Sequence, residues 1–504
     1  MATDRLTGLD ASFLHLEDDR THMHVAAVMT FAGQPPDHDE LTEAIGARLD
    51  LVPRYRQKLA FVPFGQGRPR WVDDPHFNIG YHVRLTALPE PGDENQLKRL
   101  AGRVFSQQLD RDKPLWEMWV VQGLDGGERF AILSKTHHAL VDGISGVDLI
   151  SILFDTKPDP APPPAPETGK RWLPQPTPTR AQLLGESLVE RATVPAELVR
   201  GARALFRAPR RIARAAIESA VGIGALARAG LMPPPRTPYN TAVGPHRRFT
   251  WVRAQLSDVK RIKDELGGTV NDVMLAIVAG ALGRHLRRRG VDTEGMELRA
   301  MVPVSVRGDD ARGALGNQVA AVMAALPVDG EALGRYERIH QAMDEVKSSG
   351  QAVGAQVLTE LAGFAPPNVM SQASRTVVGQ RWFNLVVTNI PGPQFPLYLM
   401  GREMQDVMPM VPLAPNQALG VAIMSYNGRI NFGLVGDYDA LYDLDDLAAD
   451  FEASLAELAE TAGVKVSGGS RRRFPRGSGN GSKSGRRVGS SGPVSAGRSR
   501  DVQS

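Results

Sequence analysis

Between Thr156 and Pro178 the chain carries nine prolines, three of them in a row at Pro162-Pro163-Pro164. Proline lacks a backbone N–H and fixes φ, so this stretch can be neither a helix interior nor a central strand. It reads as a semi-rigid linker. Beyond it, Arg180 to Leu231 is rich in Ala, Leu and Arg and reads as helical until Pro233-Pro234-Pro235 closes it. A chain of 504 residues exceeds one ordinary core. The organisation expected is therefore residues 1–155, a linker and basic helical crossover over 156–236, a second half over 237–463, and a tail over 464–504.

Each half mixes helical with strand periodicity. In the first, Met23 to Phe31 is an apolar strand, and Leu41, Ile45 and Leu49 follow Asp37 at helical spacing. Phe77 to Leu85 reads as a strand and Asn95 to Leu109 as an amphipathic helix. Trp119 to Leu124 and Phe130 to Ser134 are strands joined by the turn Asp125-Gly126-Gly127-Glu128. In the second half, helices are expected over Leu256–Leu266, Thr269–Arg289, Tyr336–Ser348 and Asp443–Ala462. Strands are expected over Arg299–Val306, Val319–Leu326 and Leu385–Asn389, and in a hairpin about Asn427-Gly428. The fold class is mixed α/β, two similar layered halves packed together.

The chemistry concentrates at His137-His138-Ala139-Leu140-Val141-Asp142-Gly143, which follows the strand ending near Ser134 and precedes an apolar helical run, Ile144 to Phe154. A neutral imidazole at such a junction can take a proton from a hydroxyl at physiological pH. Adjacent histidines on a strand point two ways, and no third ligand follows at His-Glu-x-x-His spacing, so no metal is expected. Asp142 in the tight turn can hold the loop by pairing with a buried Arg, and Gly143 permits a positive φ. The chain has no cysteine, which excludes disulfides and a thiol nucleophile.

The histidine motif resembles the active-site motif of the acyltransferase superfamily that includes chloramphenicol acetyltransferase and peptide-synthetase condensation domains. Around it, Pro114-Leu115-Trp116, Gly244-Pro245-His246-Arg247-Arg248, Gly268-Thr269-Val270-Asn271-Asp272, Pro303-Val304-Ser305-Val306-Arg307, Gly316-Asn317-Gln318 and Thr388-Asn389-Ile390-Pro391-Gly392-Pro393 occur in order. Together, from about Leu6 to Ala462, they resemble the bacterial wax ester synthase / acyl-CoA:diacylglycerol acyltransferase family. That resemblance implies two chloramphenicol-acetyltransferase-like halves with a substrate tunnel between them. It implies His138 as general base, activating an acceptor hydroxyl for direct attack on an acyl-CoA thioester, with His137, Asp142 and Gly143 shaping the loop. Acyl-CoA is then a substrate and no cofactor is expected. The acceptor is diacylglycerol, and long-chain alcohols beside it.

Two rivals stand beside this reading: an acyltransferase using a carrier-bound donor or a polyketide or peptide acceptor, and a catalytically silent relative that coats lipid inclusions. Pro114, Leu115 and Trp116 offer an apolar wall for a lipid chain, although a Trp after a Pro is more often packing. Asn271-Asp272 opens an apolar helix, where a structural cap is the favoured role.

From Lys465 to Ser504 there are ten Lys and Arg against one acid, which leaves the preceding residues at −6 within a total of +3. The basicity belongs to the tail, which is Gly/Ser/Arg-rich and expected to be disordered, and no nucleic-acid partner is expected. Arg200, Arg203, Arg207, Arg210, Arg211 and Arg214 share one helical arc. They suit either contact with an anionic membrane or lipid droplet or simply the wet side of a crossover. The N-terminus lacks a secretory pattern, and the longest apolar run, Val273 to Leu282, is about half of the ~20 residues a spanning helix needs. A cytoplasmic protein, peripheral to membrane at most, is the expectation.

Overall fold

The computed structural model describes residues 4–140, 153–159, 172–189, 233–305, 319–348 and 382–467. The helices used below are α1 (Gly8–Leu16), α2 (His38–Arg48), α3 (Ile79–His82), α4 (Glu94–Phe105), α5 (Leu256–Leu266), α6 (Val270–Arg288), α7 (Ala332–Ser348) and α8 (Leu444–Thr461), and residues 180–189 are helical as well. The strands are β1 (His24–Ala32), β2 (Gln57–Ala60), β3 (Arg70–Asp73), β4 (Val83–Ala87), β5 (Trp116–Leu124), β6 (Arg129–His137), β7 (Arg247–Gln255), β8 (Glu297–Ser305), β9 (Val319–Pro327), β10 (Leu385–Pro391), β11 (Tyr398–Leu399), β12 (Arg402–Met410), β13 (Leu419–Tyr426) and β14 (Arg429–Asp437).

Two six-stranded sheets organise these elements, in the orders β11-β12-β1-β6-β5-β4 and β7-β14-β13-β10-β8-β9, with β2–β3 as a separate ribbon. The mixed α/β class is as expected. The division by chain segment, however, is not a division by sheet. β12 lies in the second half of the sequence yet pairs antiparallel with β1, from Ala26↔Met410 to Phe31↔Met404. The first sheet is therefore completed by residues nearly 400 positions downstream of its first strand, and among the described residues Asp4 to Ser467 pack as one unit.

Local sequence explains most element ends. Asp93 and Gln96 form a reciprocal capping box that starts α4. Asn427 and Gly428 both adopt positive φ, 44° and 80°, as the tight β13–β14 hairpin requires. One expected strand is corrected: Phe77 to Leu85 begins as the short α3, because the Asn78 side chain accepts the Gly80 N–H and turns the chain before β4 starts at Val83.

The core lies in three clusters. Helix α6, apolar on every side, is buried from Asp272 to Gly283 against the second sheet, α7 and α8. Helix α8 presents Leu444, Leu447, Phe451, Leu455 and Leu458 to it at helical spacing, each worth about 1.5–3 kcal/mol of burial. A second cluster packs α1 and α2 against one face of the first sheet. The third joins the sheets: Leu97, Ala101, Val104 and Phe105 of α4 meet Phe249 and Trp251 of β7 and Met408 and Met410 of β12. Two glycines permit this closeness. A Cβ at Gly102 would lie 2.9 Å from the Arg247 carbonyl, and one at Gly433 would lie 1.7 Å from that of Pro409. No single helix among the described residues is long and apolar enough to cross a membrane.

Candidate active site

Strand β6 runs through the first sheet between β1 and β5 and ends at His137, opposite His24. The backbone then alternates. His137 N–H donates to Leu115 O on the β5 side at 2.9 Å, and His138 N–H donates to Met23 O on the β1 side at 2.8 Å. His137 closes β6 and His138 opens a short 3-10 turn, so the two imidazoles reach different partners.

The His137 ring is buried, 1% exposed. Its Nδ1 accepts the Ala139 N–H at 3.1 Å, which requires that nitrogen to be unprotonated and places the ring proton on Nε2. Nε2 lies 3.4 Å from Glu17 Oε2, an electrostatic contact longer than a good hydrogen bond. The His138 ring is half-buried and stacks on Phe13, with ring centroids 3.9 Å apart and planes at 24°. Stacking holds the ring plane through its face and leaves its edges for polar partners.

Phe13 and Glu17 stand four residues apart at the end of α1, on the side that meets the histidines. Glu17 also accepts Arg111 Nε at 3.0 Å and Nη2 at 2.6 Å, and its Oε1 accepts the Met23 N–H at 3.3 Å. Burial by itself would raise this carboxyl, but His137 and Arg111 outweigh it and hold Glu17 at about 2. Neither Phe13 nor Glu17 was visible as a site residue in the sequence. The available signal was an acid and an aromatic spaced i, i+4 ahead of the first strand.

Behind the motif, the same strands are pinned to α4. Lys135, wholly buried, donates from Nζ to Gln107 O at 2.9 Å and Val104 O at 3.3 Å, and lies 3.5 Å from Glu117 Oε2. His24 Nε2 donates to Phe105 O at 3.0 Å. The carbonyls left over at the C-terminal end of α4 thus find donors on β6 and β1. Burial pushes Lys135 down despite Glu117, and pushes His24 well down with Lys135 adding to it, so His24 is neutral near pH 7. Arg247, at the start of β7, donates to Gly244 O at 2.6 Å and to Arg20 O, tying the second sheet to the loop that precedes Met23. Burial lowers its guanidinium to about 10.

Pro114, Leu115 and Trp116 lie beside the motif and are buried. Trp116 pairs with Thr136, donates from Nε1 to Tyr55 O at 2.8 Å, and stacks on His82 at 4.6 Å. They form the wall against which the histidine turn packs. Asp272 is not the N-cap of α6. Thr269 is, and Asp272 closes its capping box from the third helical position, with its carboxylate also 3.0 Å from His340 Nδ1. Asn271 accepts a bond from Asn389 of β10 at 3.2 Å, which joins two segments set apart in the sequence. Asp142, Gly143, Gly316-Asn317-Gln318, the basic stretch Arg200 to Arg214 and the tail from Gly468 lie outside the described residues. Among the described residues, no set of three His, Asp or Glu side chains is arranged to hold a metal.

The arrangement offers a half-exposed imidazole on a rigid strand end, with its neighbour locked in one tautomer. It is suited to proton transfer. The wax ester synthase/diacylglycerol acyltransferase catalytic domain pattern matches residues 6–274, and the WS/DGAT C-terminal domain pattern matches residues 315–459. Two Mycobacterium tuberculosis proteins described as probable diacylglycerol O-acyltransferases, tgs1 and tgs2, are similar. The first is 33% identical over 90% of this chain and 96% of its own, the second 34% identical over 90% and 98%. The solved wax ester synthase/diacylglycerol acyltransferase of Marinobacter aquaeolei VT8 superposes with a TM-score of 0.63 at 28% identity, covering 91% of this chain and 100% of that one. A starter condensation domain of rhizomide synthetase superposes at 0.55 with 13% identity over 92% and 94%, and so shares the fold. With both halves of the chain matched in order, the protein belongs to the wax ester synthase/diacylglycerol acyltransferase family.

Proposed function

We propose that the protein transfers the acyl group of acyl-CoA to the hydroxyl of diacylglycerol, and of long-chain alcohols, yielding triacylglycerol and wax ester. Family membership over both halves supports this reading, and the observation that carries the mechanism is the unlike environment of the two histidines. His137 is buried and its Nδ1 is occupied, whereas His138 is half-exposed at the end of β6. His138 takes the acceptor's hydroxyl proton while the oxygen attacks the thioester carbonyl. The tetrahedral oxyanion collapses, the C–S bond breaks, and CoA leaves as a thiolate that recovers the proton from His138. Thiolate is a good leaving group, so no acyl-enzyme is needed, in keeping with a chain without cysteine.

In this reading the substrates meet in a tunnel between the two sheets. Asp142 and Gly143 shape the loop, and the protein works at a membrane or lipid-inclusion surface from one side. The test is a thin-layer assay of purified protein with labelled acyl-CoA, offered diacylglycerol and hexadecanol separately. Labelled triacylglycerol or wax ester is the expected product. Folded protein that yields neither would overturn the reading.

A further inference from the structure

Glu17 is a buried carboxylate that the reaction as written does not use. Its side chain is 3% exposed and is shared among three partners from different elements. They are the His137 ring at the end of β6, the Arg111 guanidinium between α4 and β5, and the Met23 N–H just before β1. His137 and Met23 lead on to the peptide units around His138. The His137 ring that faces Glu17 through Nε2 accepts the Ala139 N–H through Nδ1. Met23, whose N–H Glu17 accepts, in turn accepts the His138 N–H. The residue whose ring stacks on His138, Phe13, lies one helical turn before Glu17, and the Glu17 N–H donates to the Phe13 carbonyl at 3.1 Å.

A carboxylate so placed selects one form of His137. Were its proton moved to Nδ1, that proton would meet the Ala139 N–H donor and a bare Nε2 would meet the anion; were the ring turned over, C–H groups would replace Nδ1 as the acceptor and Nε2–H as the donor. The first change makes both contacts repulsive, and the second loses both. An acceptor facing Nε2 and a donor facing Nδ1 therefore fix tautomer and ring orientation together, as second partners of functional histidines do elsewhere.

We propose that Glu17 is the positioning residue of the histidine pair: it locks His137 in the Nε2–H tautomer and, through the Ala139 and Met23 peptides, fixes the backbone that aims His138. The inference rests on His138 being the base. Arg111 is the counter-charge that lets the carboxylate stay ionised while buried. The other charged or titratable groups around this cluster are Lys135 of β6, which is paired with Glu117 and through it with Arg84, His22 and His24 at the head of β1, and Arg247 of β7. Removing the Glu17 charge thus leaves His138 in a more positive surrounding, which disfavours its protonated form.

The isosteric E17Q variant separates positioning from mere support. Its kcat is expected to fall about 10- to 100-fold with KM within about twofold of wild type, since an interaction that orients the base acts in the transition state. The acid limb of its kcat/KM profile is expected to move to lower pH, and E17D to recover part of both effects. A structural role alone would lower the active fraction without moving the limb. Independently of turnover, histidine 15N spectra of the full chain, with His137 assigned by H137N, are expected to show Nε2–H and bare Nδ1. An unmoved limb with wild-type kcat in E17Q overturns the proposal, as does the opposite tautomer at His137 in the wild type. If E17Q fails to fold, the wild-type spectrum decides. Retained turnover in H138A would instead remove the reading on which the proposal rests.

Discussion

Lys135 offers a quantitative test of how the histidine strand is held. Its Nζ has no solvent exposure, two backbone acceptors near the end of α4, and Glu117 at 3.5 Å. Glu117 has further partners in Arg84, at 3.2 Å, and Trp119 Nε1, at 3.2 Å. K135M keeps most of the volume but removes the donor to two carbonyls, of which Val104 O still accepts the Gln107 N–H, and takes one cation from a buried acid. Breaking one side of a buried pair costs about 3–5 kcal/mol, and about 4 kcal/mol is the figure expected here. E117L leaves Lys135 its two carbonyls, and about 3 kcal/mol is expected. In the double variant K135M/E117L neither charge is left without its partner, so the total should fall short of the sum by about 2 kcal/mol or more. Urea unfolding of the four proteins at pH 7 measures this cycle. Additivity within about 0.5 kcal/mol would refute the coupling, and a K135M cost below about 1 kcal/mol would refute the anchoring itself.

Other perturbations follow the same logic. Glu17 is held at about 2 against an ordinary 4.5, so its ionisation stabilises the fold by about 3 kcal/mol above pH 4.5. That contribution fades as pH falls from about 4.5 towards 2, and the stability gap between wild type and E17Q, followed by unfolding from pH 7 down to 3.5, should narrow over this range. F13A removes the ring stacked on His138 and should lower kcat by about 2- to 10-fold, from about 0.5–1.5 kcal/mol of lost stacking, with little change in melting temperature. Y239F removes the buried hydroxyl bonded to His285 Nδ1 at 2.9 Å and should cost about 1–2 kcal/mol in unfolding without touching turnover. G433A should not fold to a wild-type level, because its methyl would meet the Pro409 carbonyl backbone.

The sequence revealed what depends on local chemistry and hid what depends on packing. Helix α5 was legible residue for residue from its spacing, and the β13–β14 hairpin from Asn427-Gly428. Strands β7 and β12 were not. Arg402-Glu403-Met404-Gln405-Asp406-Val407-Met408-Pro409-Met410 has only a weak period-2 pattern, since Val407 to Met410 are buried on both faces, and its place beside β1 is set by the other sheet. Thr269 as the N-cap of α6 was missed in favour of Asn271-Asp272, although Thr-x-x-Asp differs from a common capping box only in its acid. The histidine pair announced itself through residue type and spacing. Glu17 did not, because its contact with His137 spans 120 positions and exists only once α1 has docked on the strand end.

The most direct measurement of the central claim pairs H138A with wild type in the same acyl-CoA and diacylglycerol assay, alongside acyl-CoA binding by calorimetry. General-base catalysis is worth about 10²–10⁴-fold, so turnover is expected to fall by that factor, about 3–5 kcal/mol in barrier, while acyl-CoA binds as in wild type. Turnover within a few-fold of wild type, with folded protein and unchanged binding, would contradict the account and move the base elsewhere.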